Sequence, residues 1–402
     1  MSTTHPHINF LRGKQRLEQP PASRLKKTLI GIELVVGGVV VCYGLVLAIG
    51  FFAVKFHGTD VAGTIDPHNQ EFQQLAQDVS LSSIPPDQLH LPSTDSVNVA
   101  AQKLAAAQDR CQVAVIQQAY PVNAKPIAQA ITAGVDHATV TKMVFAVRLR
   151  ANDQALTAAL TACLADPTTT PSNSLASHTT SAFPWANSEE WGVVQTAFTK
   201  DLATIQRATT ATGVESRMIV SVGMVEQLRL YFTEREFYEK FFRPLKILGN
   251  ATQFAWGVMA IKEADAIDIE NHLHSVKSPF YLGPDYAHGL DFQTTDQAKE
   301  RLARLTNEKN HYFSYLYGGF ELAQFMKQWQ VAGYPLNDRP EILATLYNIG
   351  FSRSKPNNHP AVGGSTITIA GQEYTFGSLA FEFYYSGLMV NQFPLPTTTL
   401  AQ

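Results

Sequence analysis

Residues 217–232 read RMIVSVGMVEQLRLYF, an almost wholly apolar run with a single carboxylate, Glu226, near its middle. At helical spacing Ile219 and Val222 stand seven and four positions before Glu226, and Leu230 four after it, so all three share its face. The carboxylate therefore points where the helix is apolar. A carboxylate held there either has a partner or gives up its charge, and a carboxylic acid kept protonated near neutral pH is suited to general-acid chemistry.

Around this run lie 402 residues with a net charge of −3 and 45% hydrophobic residues, enough for one large or two medium globular units. No Lys/Arg block recurs beyond the first thirty residues, so the basic footprint of a nucleic-acid binder is missing and that class of partner is excluded. Residues 28–54, TLIGIELVVGGVVVCYGLVLAIGFFAV, exceed the about 20 apolar residues needed to cross a bilayer. Glu33 interrupts them only about one turn from the start, within reach of the interface. Arg12, Lys14, Arg16, Arg24, Lys26 and Lys27 precede the stretch and only Lys55 and His57 follow closely. The expectation is one transmembrane helix with a cytoplasmic N-terminus, placing the rest of the chain outside the plasma membrane. A cleaved signal peptide fits less well, because its apolar region is about 7 to 15 residues and ends in a small-residue cleavage site.

Cys42 falls in the span, while Cys111 and Cys163 fall in the exported part, where an oxidising compartment permits a disulfide. Their spacing does not say whether they meet. No CxxC, HExxH or mixed His/Cys spacing is present, so neither a metal nor an organic cofactor is expected.

Composition divides the chain into a cytoplasmic tail (1–27), the span (28–54), a stalk and small helical spacer (58–165), a Thr/Ser/Pro-rich linker (166–190) and an aromatic-rich domain (191–402). The Ala-rich helices of 96–165 carry few clustered polar groups and suit contacts with other envelope proteins. In the last domain, periodicity predicts helices over 189–210, 216–231, 234–242, 257–273, 295–331 and 339–349. Alternation around a Gly predicts a hairpin over 365–377. The fold class expected is mainly α with a minor β-hairpin.

Three segments occur in a telling order: the helix with its embedded Glu226, then AWGVMAIKEADA at 255–266, then LATLYNIG at 343–350. Their order resembles the lysozyme-like superfamily of lytic transglycosylases and goose-type lysozymes. In that family a catalytic Glu on a buried helix is followed by an Ala-x-Gly-Leu-Met-Gln segment and later by Ala-Tyr-Asn-Ala-Gly. Ala255, Gly257, Met259, Ala264 and Ala266 fit the middle motif, and Tyr347, Asn348 and Gly350 the last. The sequence departs from the pattern at Gln227, where the family has Ser, at Val258 for Leu, at Ala260 for Gln, and at GFS for the usual Gly-Pro-Gly. Glu215 copies the family's Glu-Ser dipeptide, but it opens the apolar run, where a first-turn carboxylate meets the helix dipole and solvent.

The resemblance implies a lysozyme-like domain over 191–402 that cuts peptidoglycan glycan strands between N-acetylmuramic acid and N-acetylglucosamine. Glu226 would be the single catalytic acid and base. Tyr347 would orient it, Asn348 would line the sugar groove, and Gly257, Val258 and Met259 would form the wall beside the N-acetyl group. With no second acid inside the three motifs, the route expected is the transglycosylase one, in which the substrate's N-acetyl group assists and a 1,6-anhydro end is formed. Two rival expectations are a goose-type muramidase that adds water at the same bond, and a catalytically silent fold that binds wall glycan or scaffolds an envelope complex.

Overall fold

The computed structural model describes residues 22–55, 63–82, 95–169, 175–232 and 256–397. The chain divides into two compact units, Met1–Asp60 and Val61–Gln402. The fold is mainly helical with few strands, as the helical periodicity predicted. In the first unit, helix α1 (Ala22–Lys55) contains the whole apolar stretch expected to span a membrane. Counted over the described side chains alone, no helix is long and apolar enough to cross a membrane.

The second unit opens with β1 (Thr64–Ile65) and α2 (Asn69–Ser82), followed by α3 (Asp95–Ala119), α4 (Pro121–Thr132), α5 (His137–Ala151) and α6 (Gln154–Ala165). The helices expected as a spacer beyond a linker belong to the same compact unit as the C-terminal residues. Phe72 of α2 meets Phe145 of α5 edge-on, and both rings lie against Phe381 near the C-terminus. The segment expected as a linker is itself packed. Phe183 and Trp185 in it are fully buried, a 3-10 turn covers Pro184–Asn187, and the Asn123 side chain accepts from the Ala182 amide at 2.8 Å. Thr/Ser/Pro composition marked the absence of regular structure there, while two aromatic residues supplied the burial. Cys111 of α3 and Cys163 of α6 form a disulfide that fastens these two helices together.

The predicted helix over 189–210 is two, α7 (Glu189–Lys200) and α8 (Leu202–Thr212), meeting at Asp201. Helix α9 (Ser216–Phe232) follows, and the expected helix over 234–242 lies outside the described residues. The helix predicted from 257 starts only at Glu263, as α10 (Glu263–His274). Residues 256–261 before it form a tight antiparallel turn closed by paired hydrogen bonds between Trp256 and Ile261. Gly257 (φ 72°) and Ala260 (φ 50°) are left-handed there, which no helix tolerates in sequence. The long helix over 295–331 is α11 (Gln297–Leu305) and α12 (Tyr312–Val331), and α13 (Pro340–Ile349) matches its prediction closely.

The hairpin appears as β3 (Thr366–Ile369) and β4 (Gln372–Thr375), joined through Ala370 and Gly371, both at positive φ. A short strand before it, β2 (Gly363–Gly364), pairs antiparallel with β1 from some 300 residues earlier in the chain. The final helix α14 (Phe376–Ser386) starts from a capping box at Thr375 and Ser378 and is buried at every residue. With α9 it forms the centre of the unit, flanked by α5, α13 and α7.

Arg217 joins the two central helices. Its side chain is fully buried, and its guanidinium donates to the carbonyls of Tyr384 (2.7 Å), Phe383 (3.1 Å), Leu388 (3.0 Å) and Phe393 (2.8 Å) at and beyond the end of α14. A helix C-terminus offers unpaired carbonyls and partial negative charge, so this is where a buried cation costs least. Burial pushes Arg217 down to about 10, which leaves it charged at neutral pH.

The disulfide closes a loop spanning 52 positions. Replacing Cys111 and Cys163 together by Ser is expected to lower the unfolding free energy by about 2–4 kcal/mol. Urea denaturation of the double variant measures this, and an unchanged midpoint would show that the link adds nothing to helix packing.

Candidate active site

Helix α9 is buried on all sides from Arg217 to Glu226, and Met218, Ile219, Val220, Val222, Met224, Val225 and Leu228 are each at most 1% exposed. The one-face reading of this run therefore understates it. Glu226 is 3% exposed and has Arg229, one turn on, as its ion-pair partner, through both Nε (3.1 Å) and Nη2. Of the two outcomes open to a carboxylate on an apolar face, it has taken the partner.

The three motif segments meet at the turn 256–261. Gln227 Nε2 donates to the Val258 carbonyl (2.7 Å), Tyr347 Oη donates to the Met259 carbonyl (2.6 Å), and the Met259 amide donates to Ser314 Oγ (3.0 Å). Side chains from α9, α13 and α12 thus hold two consecutive peptide units. Gly257 has a steric reason as well as a conformational one. A Cβ there would stand 2.5 Å from the Leu305 carbonyl oxygen and 2.6 Å from Ser314 Oγ.

Met259 has a different part from the one expected of it. Its side chain is fully buried between α9 and α12, where a Cβ on Gly223 would come 3.0 Å from its sulfur and one on Gly318 2.7 Å from its methyl. It is a packing peg at a helix crossing rather than a surface beside a sugar. Gly257 is exposed and Val258 partly exposed, so the solvent-facing part of the turn is its second and third residues. Asn348 is partly exposed, but its Oδ1 accepts from the Ser365 amide (2.7 Å) and so fixes the chain entering β3. Tyr347 is spent on Met259, not bonded to Glu226, although the two are close enough that Glu226 helps push the phenol up. Burial is the first cause, Glu321 the next, and together they keep Tyr347 a protonated donor well above the usual tyrosine range.

Glu321, on α12, is the residue the motif reading missed. It is 2% exposed, and burial followed by the carboxylates of Asp265 and Glu226 raises it well above the usual carboxylate range, against a smaller opposing effect of Lys262. Its position mirrors that of Glu226, since each stands three residues past the glycine that abuts Met259, Gly318 on α12 and Gly223 on α9. The site therefore holds two buried carboxyls in different surroundings, Glu226 held by Arg229 and Glu321 an acid that keeps its proton. The signal was present in YLYGGFELAQF, residues 315–325, an apolar run with one embedded Glu like that of 217–232. Glu215, the rival position, accepts a hydrogen bond from Tyr384 Oη at the head of α9, and burial raises it too. It belongs with Arg217 to the joint between the central helices. Among the described residues no cluster of His, Cys, Asp and Glu could hold a metal ion.

No family model, no curated protein and no solved structure matches this chain.

Because Glu321 is raised when folded, it holds its proton in the native state while the unfolded chain loses one above pH 4.5. Its contribution to stability is complete below that pH and is lost progressively as pH rises towards the native value. Glu321→Gln is therefore expected to match the natural protein at pH 4 and to melt at a higher temperature at pH 7 to 8, as read by calorimetry. Gly257→Ala should cost more than about 1 kcal/mol through its left-handed backbone, measurable by the same scans.

Proposed function

We propose that the chain is a membrane-anchored enzyme of the lytic transglycosylase type that cuts peptidoglycan between N-acetylmuramic acid and N-acetylglucosamine. The observation carrying this reading is convergence. Segments around 226, 258 and 347, far apart in sequence and matching the family order, are bonded to one another about a single turn beside a buried Glu. The anchor is α1 with its apolar residues 28–54, and the Cys111–Cys163 bridge suits the oxidising side of the membrane.

In this mechanism Glu226 gives its proton to the glycosidic oxygen as the C1–O bond breaks, and the substrate's own N-acetyl group stabilises the developing cation. The carboxylate then takes the proton of the sugar's 6-hydroxyl as O6 bonds to C1, closing the 1,6-anhydro ring. Arg229 is 22% exposed at its side chain and has to leave Glu226 before the acid can form. Glu321 holds a proton nearby, and Tyr347 keeps the turn in register with α13. One observation favours hydrolysis as a second reading: most glycosidases use two carboxyl groups, and Glu321 supplies another beside Glu226.

Glu226→Gln keeps shape and removes the proton, so wall digestion should fall by about 10²- to 10⁴-fold. Mass spectrometry of the products separates the routes, since an anhydro end is one water lighter than a reducing end. Equal digestion by the variant would remove Glu226 from the chemistry, and wall binding without cleavage by the natural protein would favour a scaffold.

A further inference from the structure

A second site lies on the other side of α13. A cavity of about 300 Å³ has Ile342, Leu346 and Ile349 of that helix in its wall, with β1 and β2 along one side. Its volume is at the lower end of the about 300–1,000 Å³ typical of small-ligand sites. Arg353 and Lys355 also line it, both exposed, and among the described residues neither makes an ion pair. Among the described residues no Asp or Glu lines the cavity. Two cations without an ion-pair partner among the described residues, beside an aliphatic wall, form a surface of mixed character, attractive to a ligand with one anionic end and a small apolar body.

The size and polarity of the wall narrow the class. Asn357 stands in the same lining, and beyond its bonds to the Lys355 carbonyl and the His359 amide its side chain keeps one N–H and one lone pair, which can meet a peptide group and which a long alkyl chain does not need. A carboxylate bound between a guanidinium and an ammonium gains charge-assisted hydrogen bonds. We propose that this cavity binds the C-terminal carboxylate of a short peptide with small aliphatic side chains, Arg353 and Lys355 taking the carboxylate and Leu346 and Ile349 the side chains.

Such a site is independent of Glu226, because it requires neither glycan nor cleavage. It can therefore fail while the enzyme reading stands, or the reverse.

The test titrates fluorescently labelled acetyl-Ala-Ala, as the free acid and as the C-terminal amide, into the full-length protein in lipid nanodiscs. The free acid is expected to bind at least about tenfold more tightly than the amide, which is about 1.4 kcal/mol, and to weaken as salt is raised. Arg353→Gln combined with Lys355→Gln should erase that preference without altering the melting temperature, since both side chains are exposed. Ile349→Phe, which fills the cavity from the apolar side, should weaken acid and amide alike. Equal affinity for acid and amide overturns the proposal. So does the absence of binding at millimolar peptide, or displacement of the peptide by decanoate at lower concentration than by unlabelled acetyl-Ala-Ala, which would make the site one for fatty acids.

Discussion

Helix α9 has no water-facing side between Arg217 and Glu226, and the rest of the unit is arranged around that fact. A helix buried all round gains from its apolar residues wherever they point, but every polar group it carries must be answered from inside the protein. Arg217 is answered by four carbonyls at the end of α14, which sets the position of the second central helix. Glu226 is answered by Arg229 on its own helix. Between these two charges the helix is closely packed, so neither end can shift without disturbing the other.

Close approach of α9 and α12 is made possible by Gly223 and Gly318 and filled by Met259. Placing Met259 in that crossing brings the turn 256–261 against three helices at once, where its carbonyls and amide find Gln227, Tyr347 and Ser314. Two carboxyls then lie one helical turn beyond the crossing with different surroundings. The chemical reading of this site rests on packing at Met259 as much as on Glu226 itself.

The N-terminal helices of the unit support this centre from the side. Glu382 of α14 is fully buried and bonded to Arg150 of α5 and to the Trp185 indole (2.9 Å), so three distant stretches of chain meet on one carboxylate. Burial raises Glu382, and Arg150 opposes that rise. Breaking such a set by removing one member leaves a buried charge without compensation, which costs more than the set contributes when whole. An independent spacer would have no need of it.

Local sequence was sufficient wherever the deciding interaction is local. Periodicity located α13, the alternation around Gly371 gave the β3–β4 hairpin, and the apolar run 217–232 marked both α9 and its unusual carboxylate. Three motifs in order drew attention to residues that do come together. Sequence alone ran α11 and α12 together across the exposed residues 306–310, and it did not recognise α14 within an aromatic-rich stretch, because helical periodicity is uninformative when every face is buried. It also left open whether Cys111 meets Cys163, and it gave no hint that β1 pairs with β2 across nearly the whole unit. The roles of Met259 as peg and Tyr347 as staple, and the raised pKa of the buried Glu321, were decided by tertiary structure. Each depends on which side chain from a remote helix arrives beside it, and that is fixed by packing, to which spacing along the chain is blind.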